Sequence, residues 1–493
     1  MIAAWEGVGT LRTWLVFAAL LLAGAEPARA GAPQLDQAAA AIDDGRYQDA
    51  LHLVEQSAGA PASDSDRDWS SYLKARALIG LGRNEAAEAA VRARYRAKPS
   101  AYAWASVVSI LTAQGRFDAA AAEILKLEEV TFGFVNRLRP RMVEEIVAAL
   151  ERAGPSDLRD QLVTRLVINK YTGPTAARVP DALRLRYVGL LLKQDRVEDA
   201  ARQTEALEAP VQLAALLGDR TYSLLWDHPA VSALLAQDAL AARVERGVQA
   251  RLEQPAISAS DWLEIMHALR TINRPAEAVR LGLHAINEAR SELRGSGASL
   301  RLELAYAYAE MGEAWAARRT ARELLREETQ LDAPTQIALA RLFSAAGDDE
   351  GALALATSIQ EDSQSDATTA MADTVEACAA HNLGRLDRRD EVLAALAVLG
   401  KGMPEAAFGA QLCTGHTNDA VATLGVMLND PATRSHAVLI AQLYADPLDP
   451  QSDPRDLRYR LRALAASEAV QAALKPYGRT VPLPFSSATA GAY

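Results

Sequence analysis

Aromatic side chains make up only 5% of these 493 residues, and cysteine occurs twice. Two cysteines, Cys378 and Cys413, cannot build the disulfide framework of a small secreted domain, although an oxidising compartment would permit one bridge. No long basic run interrupts a chain of formal net charge −11, which argues against the phosphate-neutralising surface that general nucleic-acid binding needs. Beyond the first thirty residues, no apolar run approaches the roughly 20 residues that span a bilayer. Few segments alternate apolar and polar residues with β-branched enrichment, so strands are not expected. Alanine, by contrast, carries much of the 50% apolar content; it favours helix and lets helices approach closely. An all-α chain is the expectation.

The first thirty residues read as a secretory signal. Arg12 supplies the positive charge, Trp14 to Ala23 is the apolar stretch, and Ala28-Arg29-Ala30 fits the small-x-small cleavage pattern. A retained membrane anchor is the less favoured alternative, because the apolar stretch is short for a span. A lipid anchor would need a cysteine where Ala25 stands. The expected mature protein begins at Gly31, is exported and lies in a bacterial periplasm. Its charge is unchanged by cleavage, since Glu6 and Glu26 offset Arg12 and Arg29.

One short pattern recurs along the chain. GRYQDA starts at Gly45, GRNEAA at Gly82, GRFDAA at Gly115, GEAWAA at Gly312, GDDEGA at Gly347 and GHTNDA at Gly415. Before Gly115, residues Trp104, Val107, Val108 and Leu111 share one helical face; before Asn273, Trp262, Ile265, Met266 and Leu269 do the same. Each helix stops where glycine tolerates a left-handed backbone. The next helix opens with an acid suited to the helix dipole: Asp49, Glu85, Asp118, Glu198 or Glu277. The alanine five residues past the glycine sits where paired helices cross. Weaker corners are read at Asp195, Asn273 and Asp387, with a decayed one near Gly154. A beat in the middle thirties with two helices per unit signals a stacked helical array.

On these residues the chain resembles the tetratricopeptide repeat family. Trp104, Gly115, Phe117 and Ala120 match its unit, as do Gly82, Ala87 and Pro99, and Trp262, Ala278 and Ala285. The resemblance implies a right-handed superhelical solenoid of helix-turn-helix repeats that binds proteins or peptides without chemistry of its own. The expected organisation is a signal peptide (1–30), an N-terminal array (31–205), an irregular helical insert (206–258) and a C-terminal array (259–430). A helical cap (431–478), with a closing helix over Arg455 to Leu474, and a flexible tail (479–493) complete it. The aromatic last residue, Tyr493, does not mark an outer-membrane barrel, because no alternating strand precedes it.

The residue six before each corner should face the concave surface. In the C-terminal array these residues are His267, Tyr306, Arg341 and His381, with Arg270 and Arg385 nearby and Glu310 opposing them. Such a ladder would suit an anionic peptide or polymer. In the N-terminal array, Trp69, Tyr72, Arg76 and Tyr102 give an aromatic lining. The carboxylate clamp of some family members is not supported, since Leu35, Ala39, Tyr72 and Arg76 hold the comparable places. The expected partners are other envelope proteins or peptides, with membrane association only through them.

Catalysis is not indicated. None of the seven histidines falls in a zinc motif, and neither metal nor cofactor is expected. Ser71 and Lys74 have the serine-x-x-lysine spacing, but the companion motifs are missing. Gly295-Ser296-Gly297-Ala298 reads as a linker rather than a phosphate loop. With a corner at Asp387, Cys378 and Cys413 stand seven residues out of step, or about 10 Å along parallel helices. Two buried free thiols are therefore favoured over a bridge, which needs α-carbons within about 7 Å.

Overall fold

The structure, a computed structural model, describes residues 33–43, 45–57, 63–154, 156–174, 178–236, 238–254, 257–288, 297–328, 331–362, 365–399, 402–445 and 457–487. Residues 1–30, where a secretory signal is expected, and Gly295, Ser296 and Tyr493 lie outside them. The described residues fall into two compact units, one ending at Tyr187 and the other beginning at Val188. That break lies before the expected array boundary at 205.

The first unit pairs α1 (Pro33–Asp43) with α2 (Tyr47–Ser57), α3 (Asp64–Gly80) with α4 (Asn84–Ala97), and α5 (Ala101–Ala113) with α6 (Phe117–Leu125). A 3-10 segment, Glu129–Arg137, leads to α7 (Pro140–Arg152) and α8 (Asp157–Ile168). The break then falls inside α9 (Asp181–Lys193), whose partner is α10 (Val197–Thr204). Residues 206–258 hold α11 (Pro210–Gly218), α12 (Pro229–Ser232) and α13 (Ala239–Leu252), with 3-10 segments between them. Five hairpins follow: α14 (Ala259–Thr271) with α15 (Pro275–Glu288), α16 (Gly297–Glu310) with α17 (Ala314–Glu327), α18 (Ala333–Ala345) with α19 (Asp349–Asp362), α20 (Asp366–Asn382) with α21 (Leu386–Leu399), and α22 (Pro404–Thr414) with α23 (Thr417–Asn429). The chain closes with α24 (Arg434–Ile440), β1 (Leu443–Tyr444), α25 (Leu457–Ala465), α26 (Glu468–Leu474) and β2 (Pro482–Leu483).

The recurring corner has one geometry. Gly45, Gly82, Gly115, Gly312, Gly347 and Gly415 all carry φ between 69° and 81°, and Asp195 and Asn273 adopt 59° in their places. At each, the next residue's N–H reaches back five positions, as in Arg116 N to Leu111 O (2.9 Å) and Arg274 N to Leu269 O (2.8 Å). This satisfies a carbonyl that the helix end would otherwise orphan. The crossing alanines Ala50, Ala87, Ala120, Ala200, Ala278, Ala317, Ala352 and Ala420 are all fully buried. Serine caps add local starts, with full capping boxes at Ser63–Asp66 and Ser258–Asp261. First helices also pack on the next first helix, from α1 to α3 to α5 and from α14 through α16, α18 and α20 to α22. The chain is an all-α solenoid of tetratricopeptide-like hairpins.

Three expectations change. The corner placed at Asp387 is at Gly384 (φ 72°), because α20 runs only to Asn382 and Arg385 N bonds Ala380 O at 2.8 Å. The closing helix is two helices, α25 and α26, broken where Ser467 caps the second. The tail is packed as far as Ser487: β2 pairs in parallel with β1, and Val481, Leu483 and Phe485 are buried.

The corrected corner also changes the cysteines. Cys378 now lies six residues before its corner and Cys413 two before Gly415, an offset of four residues or about 6 Å. Helices α20 and α22 meet through Ala370, Ala377, Ala406 and Ala410, all fully buried. Gly409 faces Thr374, whose hydroxyl donates across to Ala406 O at 3.0 Å. That close approach brings the α-carbons to 5.5 Å, and Cys378 and Cys413 form a disulfide. The expectation of free thiols is overturned.

Candidate binding face

In the C-terminal unit, α14 and α16 bring one charged cluster together. Arg270, only 1% exposed, donates to Glu310 through two nitrogens, at 3.0 and 2.6 Å, and also pairs with Glu303. Its guanidinium lies 4.9 Å from the Tyr306 ring centroid, and Tyr306 donates its hydroxyl to Ala338 O on α18 at 2.8 Å. Three successive first helices are thereby linked. Two carboxylates clamp a planar donor that offers a fork to one of them, the geometry at which arginine outperforms lysine.

The electrostatics follow from burial and pairing. Burial alone would lower the Arg270 guanidinium, but Glu303 and Glu310 outweigh it and hold the charge firmly in place. Glu303 is only partly exposed, which would raise its carboxyl, yet Arg270 keeps it below the ordinary value. Burial pushes the Tyr306 phenol up to about 12. Burial also pulls His267 down to about 3, so the imidazole is neutral at ordinary pH, with its buried Nδ1 lacking a hydrogen-bond partner. Arg341 is lowered by burial, against an opposing effect of Tyr306.

Of the expected ladder, His267, Arg270 and Tyr306 lie near one another, and Arg341 stands close enough to Tyr306 to affect its ionisation. His381 does not occupy the expected position. With the corner at Gly384 it lies three residues before the turn, the place of Arg270 in its own hairpin, and its ring is 3.5 Å from Arg389. Arg385 follows the corner glycine and pairs with Glu350 of α19 at 2.6 Å, on an exposed surface. Glu303 was missed, although it lies one helical turn before Tyr306 and therefore shares its face. The two glutamates match Arg270 and Arg341 in number, so the cluster is balanced rather than basic.

The N-terminal lining is different. Trp69 and Tyr72 stack at 5.6 Å, and both are buried, as is Arg76. Tyr102 remains partly exposed beneath Arg137, whose guanidinium lies 4.7 Å from its ring. Most of this lining is packing. The serine-lysine pair also disperses: Ser71 donates to Ala90 O at 3.2 Å, while Lys74 stands 3.9 Å from Glu55. Among the described residues, no group of three histidine, cysteine or acidic side chains could hold a metal, and no helix is long and apolar enough to cross a membrane.

No protein-family model and no curated protein matches the chain. Many solved structures resemble it, and two of them illustrate the likeness. One is the APC/C hetero-tetramer Cut9-Hcn1, at 12% identity over 89% of this chain and 85% of that one, with a TM-score of 0.29. The other is NprR in complex with its cognate peptide NprX, at 12% identity over 81% of this chain and 98% of that one, with a TM-score of 0.34. Scores this low carry no inference about function; the chain's own geometry is a hairpin solenoid with a charge-balanced cluster across its first helices.

Proposed function

We propose that this protein is an exported, non-catalytic scaffold that holds proteins or peptides on the first-helix face of its C-terminal unit. The observation that carries the reading is the Arg270 cluster. The buried Arg270 and Tyr306, contributed by successive hairpins, hold the partly exposed Glu303 and Glu310 as fixed polar groups on a repeat surface. Stacked hairpins characteristically use such faces for peptide and protein recognition. The balance of charge favours a partner with matched polar groups over the anionic peptide or polymer that a basic ladder would select. The Cys378–Cys413 bridge fits an oxidising compartment, in keeping with the leader-like first thirty residues. An envelope assembly, secretion or polymer-export system is the setting we favour.

The test is a crosslinking pull-down of the mature protein from its own envelope fraction, read by mass spectrometry, beside the same experiment with Glu310→Lys. Recovery of one complex that is lost in the variant supports the reading. If no protein is enriched, the scaffold falls. A complex held equally well by the variant would move the surface elsewhere. Arg341→Glu and Arg385→Glu test the anionic-ligand alternative, which predicts loss of an anionic ligand while partner proteins remain bound.

A further inference from the structure

The last described residues, Arg479–Ser487, lie in the C-terminal unit as an extended peptide lies in a binding groove. Val481, Leu483 and Phe485 point inward and are buried, while Pro482 is exposed and Pro484 half-buried between them. This is the alternation of a strand with one face in the core. The prolines supply no N–H, so the edge cannot recruit a further strand.

The seat reads the main chain of the segment. Gln442, 1% exposed, accepts the Val481 N–H on its Oε1 at 2.9 Å and donates Nε2 to Arg479 O at 3.3 Å. The β1 edge adds Leu443 N to Val481 O (3.2 Å) and Ala445 N to both Leu483 O (3.0 Å) and Phe485 O (2.8 Å). At one end, Arg479 N donates to Gly218 O at 2.9 Å, and a Cβ on Gly478 would collide with that carbonyl oxygen. At the other, Ser486 N donates to Thr271 O at 2.7 Å. Asn273, at the first corner of the C-terminal array, donates Nδ2 to Ala445 O at 2.8 Å. The walls come from parts of the chain far apart in sequence, with Arg479 and Leu217 separated by 262 positions.

We propose that residues 479–487 act as a built-in peptide ligand, occupying in cis a seat for an extended peptide with apolar residues at alternate positions. Occupancy holds the beginning of the C-terminal array against its end. The segment satisfies a carbonyl in the last turn of α14, the helix end that presents Arg270. Filling the seat therefore steadies the helix on which the candidate binding face begins.

The experiment uses the full chain with Phe485→Ala and, separately, Ser486→Pro, which removes the N–H given to Thr271. Hydrogen exchange should accelerate about tenfold or more over residues 265–273 and 438–445, and less than about threefold in the middle of the array at 331–362. A synthetic peptide of residues 479–487 added to the Phe485→Ala chain should restore protection, and the same peptide carrying Phe485→Ala should not. Unchanged exchange in both variants would overturn the proposal, as would acceleration spread evenly through 297–430. Failure of the wild-type peptide to rescue would overturn it too.

Discussion

The two units are built from the same hairpin and held together differently. In the N-terminal unit, the described helices from α1 to α8 pack on neighbours one or two elements away. In the C-terminal unit, α11 packs on α24, β2 pairs with β1, and the final segment reaches Gly218 and Thr271. A covalent bridge further ties α20 to α22. A chain of nearest-neighbour contacts opens one repeat at a time, whereas tied ends make the repeats cooperative. The contrast predicts that, while the ends stay tied, perturbations within the C-terminal array spread through it and those in the N-terminal unit stay local.

The largest expected effect comes from Arg270→Ala. It leaves the partly buried Glu303 and Glu310 without the buried cation they share, at a cost of about 3–4 kcal/mol. Denaturation followed by segment-resolved hydrogen exchange should show the loss over 259–430 and not over 63–168. A loss of less than about 1 kcal/mol would mean that the cluster is not the electrostatic centre of the face.

Reduction of Cys378–Cys413 comes next. The bridge closes a separation of 35 residues, for which chain entropy gives about 3–4 kcal/mol. A reductant should lower the unfolding temperature of the C-terminal unit alone. Equal shifts in both units would erase the contrast between them.

A smaller effect attaches to Asp373. Burial, reinforced by the neighbouring Glu376, pushes its carboxyl up to about 6, while Gln360 donates to it at 2.6 Å. A carboxyl raised on folding stabilises below its unfolded value, near 3.8, and that stabilisation is lost as pH rises through about 6. Asp373→Asn, which imitates the protonated form, should therefore stabilise the unit by about 1–2 kcal/mol at pH 7.5 and by nothing below pH 4. Thermal melts across that range would decide it, and a gain independent of pH would refute the titration.

The finest comparison is between two corners with a side chain in the left-handed region. Asp195→Gly removes only backbone strain and should stabilise by up to about 0.5 kcal/mol. Asn273→Gly removes the same strain but loses the bond to Ala445 O, so it should destabilise by about 0.5–1 kcal/mol. The same sign for both would show that Asn273 is an ordinary corner rather than a point of attachment.

Much of this was legible in the residues. Trp104, Gly115 and Ala120 announce a helix, a left-handed stop and a crossing point within a single unit, because each depends on local spacing. Asp195 and Asn273 were readable as corners for the same reason: short polar side chains tolerate positive φ. Gly384 was misread because Arg389, rather than alanine, stands five residues beyond it, and that three-residue error separated the cysteines on paper. Glu303 could have been found by its spacing from Tyr306. The alternation of Val481, Leu483 and Phe485 with prolines was also visible, but nothing in it names Gln442 or Gly218 as the groove that receives it.

The sequence by itself determined the helices, their stops and the beat of the hairpins, since helix capping and apolar periodicity act over a few residues. Tertiary structure alone decided that Cys378 meets Cys413, that Glu303 and Glu310 share Arg270, and that the last strand ties the C-terminal unit's ends. Each is a contact between segments remote along the chain. Its existence depends on the stacking angle and depth of every hairpin between them, which no short-range pattern fixes.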